Sequence, residues 1–367
     1  MLRKAFNFIK RKRFMLYKFK ENSRYFLQGE YVIDDTLMFL YRNDDLSYSK
    51  SMEIFKSRPI YKSKLKRIFV LLVKRTFFSK SIYINNQEKT SFQGSVFFIG
   101  VDKASNGKVF DFINQQVLTM YFSKRKYNEI LEAYRFFKPY FNLPSIISYS
   151  SDPLIIQEEL IDHTSYKEWT KEDFDLVIKD IFERYTTYFQ CCSREKNYSL
   201  IKPVTILQNI QNADMLSEFI TAHTNDDLLR MDLPLVRIHG DLWIPNILLT
   251  RNKLDSVYYI DYEFSDAFLF FYDIFWFIHD QVVNHSNHYF LFKYVAGEYD
   301  DDFKSLFSTF HLNFEKNNRL DYLNIYYINV YMKRCNHLHQ RERMLHLNNF
   351  KDIYFKAVHG NVLSSGK

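Results

Sequence analysis

The chain has 367 residues, 47% apolar and 19% aromatic, enough to bury a sizeable core and to divide into two folded units. Its three cysteines, Cys191, Cys192 and Cys335, make no disulfide framework, and the adjacent pair lacks metal-site spacing, so a reducing cytoplasm is the expected location. The net charge of +7 is uneven: residues 1–80 hold 20 Lys and Arg against 7 Asp and Glu, the remainder 30 against 36.

The first twenty residues carry eight Lys and Arg and no acid. Leu2, Phe6, Ile9 and Leu16 fall near one helical face, with Phe14 and Phe19 at its edge. Such a helix can lie on an anionic membrane surface, here the inner face, or pack on a domain with its charges in water; both readings stay open. Charge interrupts the apolar positions, so no signal-peptide core is expected, and the run Ile68–Val73 is far short of the roughly 20 residues that span a bilayer. No recognised nucleic-acid module accompanies the charge, so nucleic acid is not an expected partner. Residues 1–80 are expected to form a basic extension of unassigned fold.

Between 81 and 160 the pattern is strand-like. SIYINN, SVFFIGV, KVFDFI and QVLTMYF are rich in β-branched and aromatic residues and separated by turn chemistry such as Ser105-Asn106-Gly107. Lys124–Phe137 reads as a helix, with Tyr127, Ile130, Leu131, Tyr134 and Phe137 on one side and Pro139 and Pro144 closing it. A strand, Leu154–Leu160, follows. Thr170 and Asp173 then form a capping-box pattern ahead of Phe174, Val177, Ile181 and Tyr185 at helical spacing. Further helices are expected around 203–220 and 321–345. Strands with one helix, then mostly helices over 161–367, predict an α+β chain with segregated units.

The chemistry concentrates in VRIHGDLWIPNILL, residues 236–249, and YYIDYEF, residues 258–264. Two apolar strand-like runs bracket His239-x-Asp241-x-x-x-x-Asn246 and Asp261. An aspartate beside an acceptor hydroxyl can orient it and take its proton, while an asparagine and a second aspartate can hold Mg²⁺ against the phosphates of a nucleotide. Mg²⁺ takes oxygen ligands and keeps waters, so two protein ligands plus phosphate oxygens suffice.

HGDLWIPNIL resembles the catalytic loop of the aminoglycoside phosphotransferase and choline kinase superfamily, and IDYEFS resembles the metal-binding segment of choline and ethanolamine kinases. The resemblance implies a protein-kinase-like two-lobed fold. A small antiparallel-sheet N-lobe would bind nucleotide over 81–160, and a mainly helical catalytic C-lobe would occupy 161–367. It implies ATP or GTP as phosphoryl donor with Mg²⁺, and a small-molecule hydroxyl as acceptor. Asp241 would be the catalytic base, Asn246 and Asp261 metal ligands, and His239 a brace for the loop. Glu263 would support the metal site, and Asp273 would hold the catalytic loop from the following helix.

In the first lobe the resemblance places backbone amides from Lys103 to Gly107 near phosphate, matches Glu132 to the family's helix glutamate, and makes Glu158 and Glu159 part of the strand entering the adenine hinge. One departure stands out. The strand before the helix should carry a phosphate-binding lysine, and Thr119 holds that place; Lys108 or Lys124 is left to supply the charge. Trp243, Tyr262, Phe268, Phe271 and Trp276 could line an acceptor pocket, which would suit a choline-like cation, or serve the core. A sugar or glycan-precursor hydroxyl is an equal candidate. The alternative function is a catalytically degenerate binding protein of the same fold.

Overall fold

The computed structural model describes residues 2–35, 37–55, 64–77, 81–86, 90–99, 106–210, 214–250 and 257–365. In chain order the first part holds α1 (Leu2–Glu21), β1 (Gly29–Ile33), β2 (Phe39–Arg42), α2 (Asp45–Phe55), α3 (Lys64–Phe77), β3 (Ser81–Ile84), β4 (Val96–Ile99), β5 (Asn106–Asp111), β6 (Gln116–Tyr121), α4 (Lys124–Phe137), β7 (Ile146–Ser151), β8 (Leu154–Glu159) and β9 (His163–Thr164). There follow α5 (Lys171–Glu195), β10 (Ser199–Ile201), α6 (Pro203–Gln208), α7 (Asp214–His223), α8 (Asp226–Arg230), β11 (Leu233–Ile238), β12 (Ile247–Thr250), β13 (Val257–Tyr259), β14 (Asp266–Leu269), α9 (Tyr272–His285), α10 (Tyr289–Ala296), α11 (Asp300–Ser308), α12 (Arg319–Val330) and α13 (Gln340–Ser365).

Two compact units result. The first comprises residues 1–136, 142–169 and 248–258, and the second 137–141, 170–247 and 259–367. The first is built on an eight-stranded sheet in the order β3-β1-β2-β4-β5-β6-β8-β7, every pairing antiparallel. The second is mainly helical, with a small antiparallel sheet β10-β11-β14. The α+β expectation holds, with strands and helices segregated as the sequence pattern indicates.

The boundary expected at residue 80 does not hold. β1 and β2 lie inside the sheet between β3 and β4, so the basic N-terminal segment is part of the first unit and not an extension to it. These strands are no shorter than β3 and β4, but charged residues close them in, Asp34-Asp35 after β1 and Arg42 to Asp45 at the end of β2, and break the apolar pattern. α1 is bound into the same core. Met15 and Phe19 are buried, with Phe8, Ile9, Phe14 and Leu16 packed partly against them. The Phe19 ring lies 4.5 Å from Phe26, 5.0 Å from Tyr31 and 5.8 Å from Phe97, centroid to centroid. Ile9, Leu16, Phe14 and Phe19 of the apolar face expected in the sequence thus pack toward the sheet, while Phe6 of the same face is exposed. On other core residues, Phe55 of α2 stacks on Phe39 and Phe98 at 4.7 and 5.0 Å. Among the described residues no helix is long and apolar enough to cross a membrane.

Three further elements differ from expectation. β7 is an edge strand that the sequence did not disclose: four of its residues, Ser148 to Ser151, are serine or tyrosine, without an apolar face. The helix expected over 203–220 is two, α6 and α7. That expected over 321–345 is α12, a π-helical turn at Tyr331–Cys335, and α13. Every residue of α12 from Tyr322 to Val330 is buried, which makes it the central helix of the second unit and explains its lack of an amphipathic stripe. α5 begins as expected, with the Thr170 side chain and Asp173 closing a full capping box.

The core position of α1 predicts that Phe19→Ala destabilises the protein by about 3–5 kcal/mol, the usual cost of emptying a buried phenylalanine site. Urea unfolding measures it; a loss below about 0.5 kcal/mol, the surface range, would mean that α1 does not belong to the core.

Candidate active site

β11 is the central strand of the small sheet, and its apolar residues deliver the chain into the loop 239–246 at a fixed height. Gly240 follows at φ +76°, and a Cβ there would collide with the Phe264 carbonyl, so only glycine fits. The Gly240 N–H donates to both carboxylate oxygens of Asp273, at 3.0 and 3.2 Å. Asp273 is fully buried in the first turn of α9, and the Tyr185 hydroxyl of α5 donates to its Oδ2 at 2.5 Å. Burial pushes this carboxyl above the ordinary carboxylate range, opposed by His239 and by the hydrogen bonds from Tyr185 and Gly240. The brace expected from the following helix is therefore present in the geometry.

His239 ties the loop to the neighbouring segment. Its Nε2 donates to the Ile260 carbonyl at 2.9 Å, Nδ1 accepts the Asp241 N–H at 3.3 Å, and its ring lies 4.3 Å from that of Tyr262. Asn246 is buried; its Nδ2 donates to the Asp241 carbonyl at 2.9 Å, and its own carbonyl accepts the Ile260 N–H at 3.0 Å. That last bond sets Asn246 beside the residue preceding Asp261. Asp261 is exposed and left-handed, φ 70° and ψ 53°, a conformation that aspartate tolerates better than most residues.

The donor set fits Mg²⁺. With Nδ2 committed, Asn246 offers only its amide oxygen, and Asp261 offers an exposed carboxylate, so both ligands are hard oxygens. Among the described residues no group of three or more His, Cys, Asp or Glu could hold a metal alone. A cation here therefore depends on ligands brought by the substrate.

Sequence reasoning missed Arg334. It lies in the π-helical turn, a feature frequent at functional sites. Its Nη2 donates to Asp241 Oδ1 at 2.7 Å and to the Gly240 carbonyl, its Nε donates to the Tyr272 hydroxyl at 3.0 Å, and its guanidinium lies 3.8 Å from the Trp276 ring centroid. Its loop partners Gly240 and Asp241 lie 94 and 93 residues earlier, so no local spacing could reveal it. Of the five aromatics considered for an acceptor wall, Tyr262, Phe268 and Phe271 are buried in the core, and Trp243 and Trp276 are half-buried.

In the first unit, Lys108 of β5 pairs directly with Thr119 of β6, in a row that runs Phe98, Lys108, Thr119, Ile156 across four strands. Opposed residues share a face with Cβ atoms about 5 Å apart. A lysine thus stands one strand over from the expected place, on the same side of the sheet. Gly107 is buried in β5, and a Cβ there would sit 2.8 Å from the Phe97 ring, so its small size serves packing. Glu132 is exposed on α4, while Glu158 and Glu159 are in β8, opposite Val117 and Gln116. Lys103 lies outside the described residues.

No family model matches the chain, and no curated protein matches it in sequence. Solved structures do. The chain is similar to the choline kinase LicA of Streptococcus pneumoniae at 12% identity and TM-score 0.39, covering 82% of this chain and 99% of that one. It is similar to a Plasmodium vivax ethanolamine kinase at 13% identity and TM-score 0.35, covering 88% and 94%. An aminoglycoside phosphotransferase of Streptomyces rimosus matches at 8% identity and TM-score 0.33, covering 64% and 92%.

His279, one turn beyond Trp276, gives the site a pH signature. Burial holds its pKa down to about 4, with Asp280 opposing and His346 and Arg334 reinforcing. An unfolded histidine titrates near 6.5. The folded form thus resists protonation that the unfolded form accepts, and the contribution is complete above about pH 6.5 and lost as pH falls toward 4. Unfolding free energy should fall by up to about 3 kcal/mol across that window. Urea titrations at pH 7.5 and 5 should show the slope reduced in His279→Gln.

Proposed function

We propose that this chain is a nucleotide-dependent phosphotransferase that moves the terminal phosphoryl group of ATP or GTP to a hydroxyl of a small molecule, as the resemblance of its loop to the aminoglycoside phosphotransferase and choline kinase superfamily implies. The observation that carries the reading is the loop itself. Asp241 is held by Gly240 on the buried Asp273 and by Arg334, while the backbone bond between Asn246 and Ile260 fixes the two metal-ligand candidates as neighbours. A structural loop has no need of this arrangement around a partly buried aspartate.

The chemistry follows from the atoms. Arg334 occupies Asp241 Oδ1, and Oδ2 has no partner among the described residues. Oδ2 is the oxygen that accepts the hydrogen bond of the acceptor hydroxyl, aligns it, and takes its proton. The hydroxyl oxygen bonds to the terminal phosphorus, the bond to the bridging oxygen breaks, and the nucleoside diphosphate leaves with that electron pair. Asn246 Oδ1 and the Asp261 carboxylate would hold Mg²⁺, which supplies charge neutralisation to the phosphates when bound. Lys108 is the cation for the nucleotide phosphates in place of Thr119. The reaction belongs in the cytoplasm, where the three free cysteines stay reduced.

Thr119 favours one second reading, a binding protein that has lost turnover. The same measurements separate the two. Asp241→Asn should lower turnover by about 10²–10⁴-fold with nucleotide affinity little changed. Asp261→Asn should weaken Mg²⁺-dependent nucleotide binding as well as turnover, and Lys108→Met should raise the nucleotide KM. Steady-state kinetics and calorimetry with and without Mg²⁺ read all three. Wild-type turnover in Asp241→Asn would remove it from the catalytic role, and metal-dependent nucleotide binding without any turnover would favour the degenerate protein.

A further inference from the structure

The phosphotransferase reading leaves the acceptor open between an amino alcohol and a sugar, and the aromatic residues around Trp276 at first favour a cation. The structure fills that seat from within. The Arg334 guanidinium covers Trp276 at 3.8 Å, and the same group neutralises Asp241 through Oδ1. Lys333 likewise covers a second aromatic face, lying 5.1 Å over Phe268 while bonded to Asp266 at 2.6 Å. An ammonium brought to Asp241 Oδ2 would meet a fixed guanidinium, while Asp266 is paired with Lys333, Asp273 is bound to Gly240 and Tyr185, and the exposed Asp261 is assigned to the metal.

The donors point the same way. Arg334 spends Nε on Tyr272 and Nη2 on Gly240 and Asp241, while Nη1 has no partner among the described residues. Its two hydrogens are therefore available to an oxygen close to the one that Asp241 orients. A guanidinium presents its donors in one plane, which suits neighbouring oxygens on a ring or chain.

We propose that Arg334 selects the acceptor: the site takes an uncharged or anionic polyhydroxyl compound, of the sugar or sugar-acid class, and rejects amino alcohols. This rests on the phosphotransferase reading. Asp241 Oδ2 engages the reacting hydroxyl and Arg334 Nη1 an oxygen next to it, so that two contacts a short distance apart fix the acceptor's orientation.

The test is nucleoside diphosphate release with a panel of neutral sugars, sugar acids and sugar phosphates set against choline, ethanolamine and aminopropanol. Wild-type protein should turn over one or more polyhydroxyl compounds with kcat/KM at least 100-fold above any amino alcohol. Arg334→Gln should narrow that ratio by tenfold or more. Arg334→Lys, which keeps the charge and loses the fork, should retain the rejection of amino alcohols with a raised polyol KM, and serves if the glutamine variant fails to fold. A preference for amino alcohols in the wild type, or equal loss on both classes in Arg334→Gln, would overturn the assignment and leave the phosphotransferase reading intact. Absence of transfer to every member of the panel would instead defeat that reading and this one with it.

Discussion

The second unit depends on one buried carboxylate. Asp273 has no solvent, and a desolvated charge is tolerated only where hydrogen bonds replace water. Here Tyr185 from α5 and the Gly240 amide from the loop do so, and each of these groups is placed by a different element. The helix α5, the strand β11 and the helix α9 therefore have to agree in position before the carboxylate is satisfied. The loop that carries Asp241 is held at that meeting point, with its conformation set by the core and not by the substrate.

A second layer rests on this one. Gly240 fits against the Phe264 carbonyl and the Phe268 ring only because it lacks a side chain, and its left-handed conformation turns the chain so that Asp241 emerges beside Arg334. His239 and Asn246 then bind the loop to Ile260 through one side chain and one backbone carbonyl. The catalytic role proposed for Asp241 would require placement of this kind, since misplacement by about 1 Å can cost 10²-fold.

The legible parts of the molecule were those written in consecutive residues. His239, Asp241, Asn246 and Asp261 sit in two short segments whose spacing is their signal, and the capping box at Thr170 is likewise local. Arg334 was invisible because its meaning comes from Asp241 and Trp276, which lie in other elements, and because the π-helical turn that carries it has no sequence signature in this chain. β1 and β2 were hidden for a different reason: charged neighbours, Asp34-Asp35 and Arg42 to Asp45, break their apolar pattern where β3 and β4, just as short, keep theirs. Lys108 was noticed, but only the register of β5 against β6 shows that it faces Thr119.

The sheet order also bears on how the chain comes off the ribosome. β3 is joined to the rest of its sheet through β1, and β1 and β2 together link it to β4, so the earliest strands made are the ones that bridge later ones. Until residues 96–99 emerge, β2 presents an open row of amides and carbonyls, and without β1 and β2 the strand β3 would lose its partner in the sheet and β4 would become an edge paired only with β5. Such edges invite strand addition from other copies. The first 80 residues carry 20 Lys and Arg against 7 Asp and Glu, and a like charge on neighbouring copies opposes such strand addition.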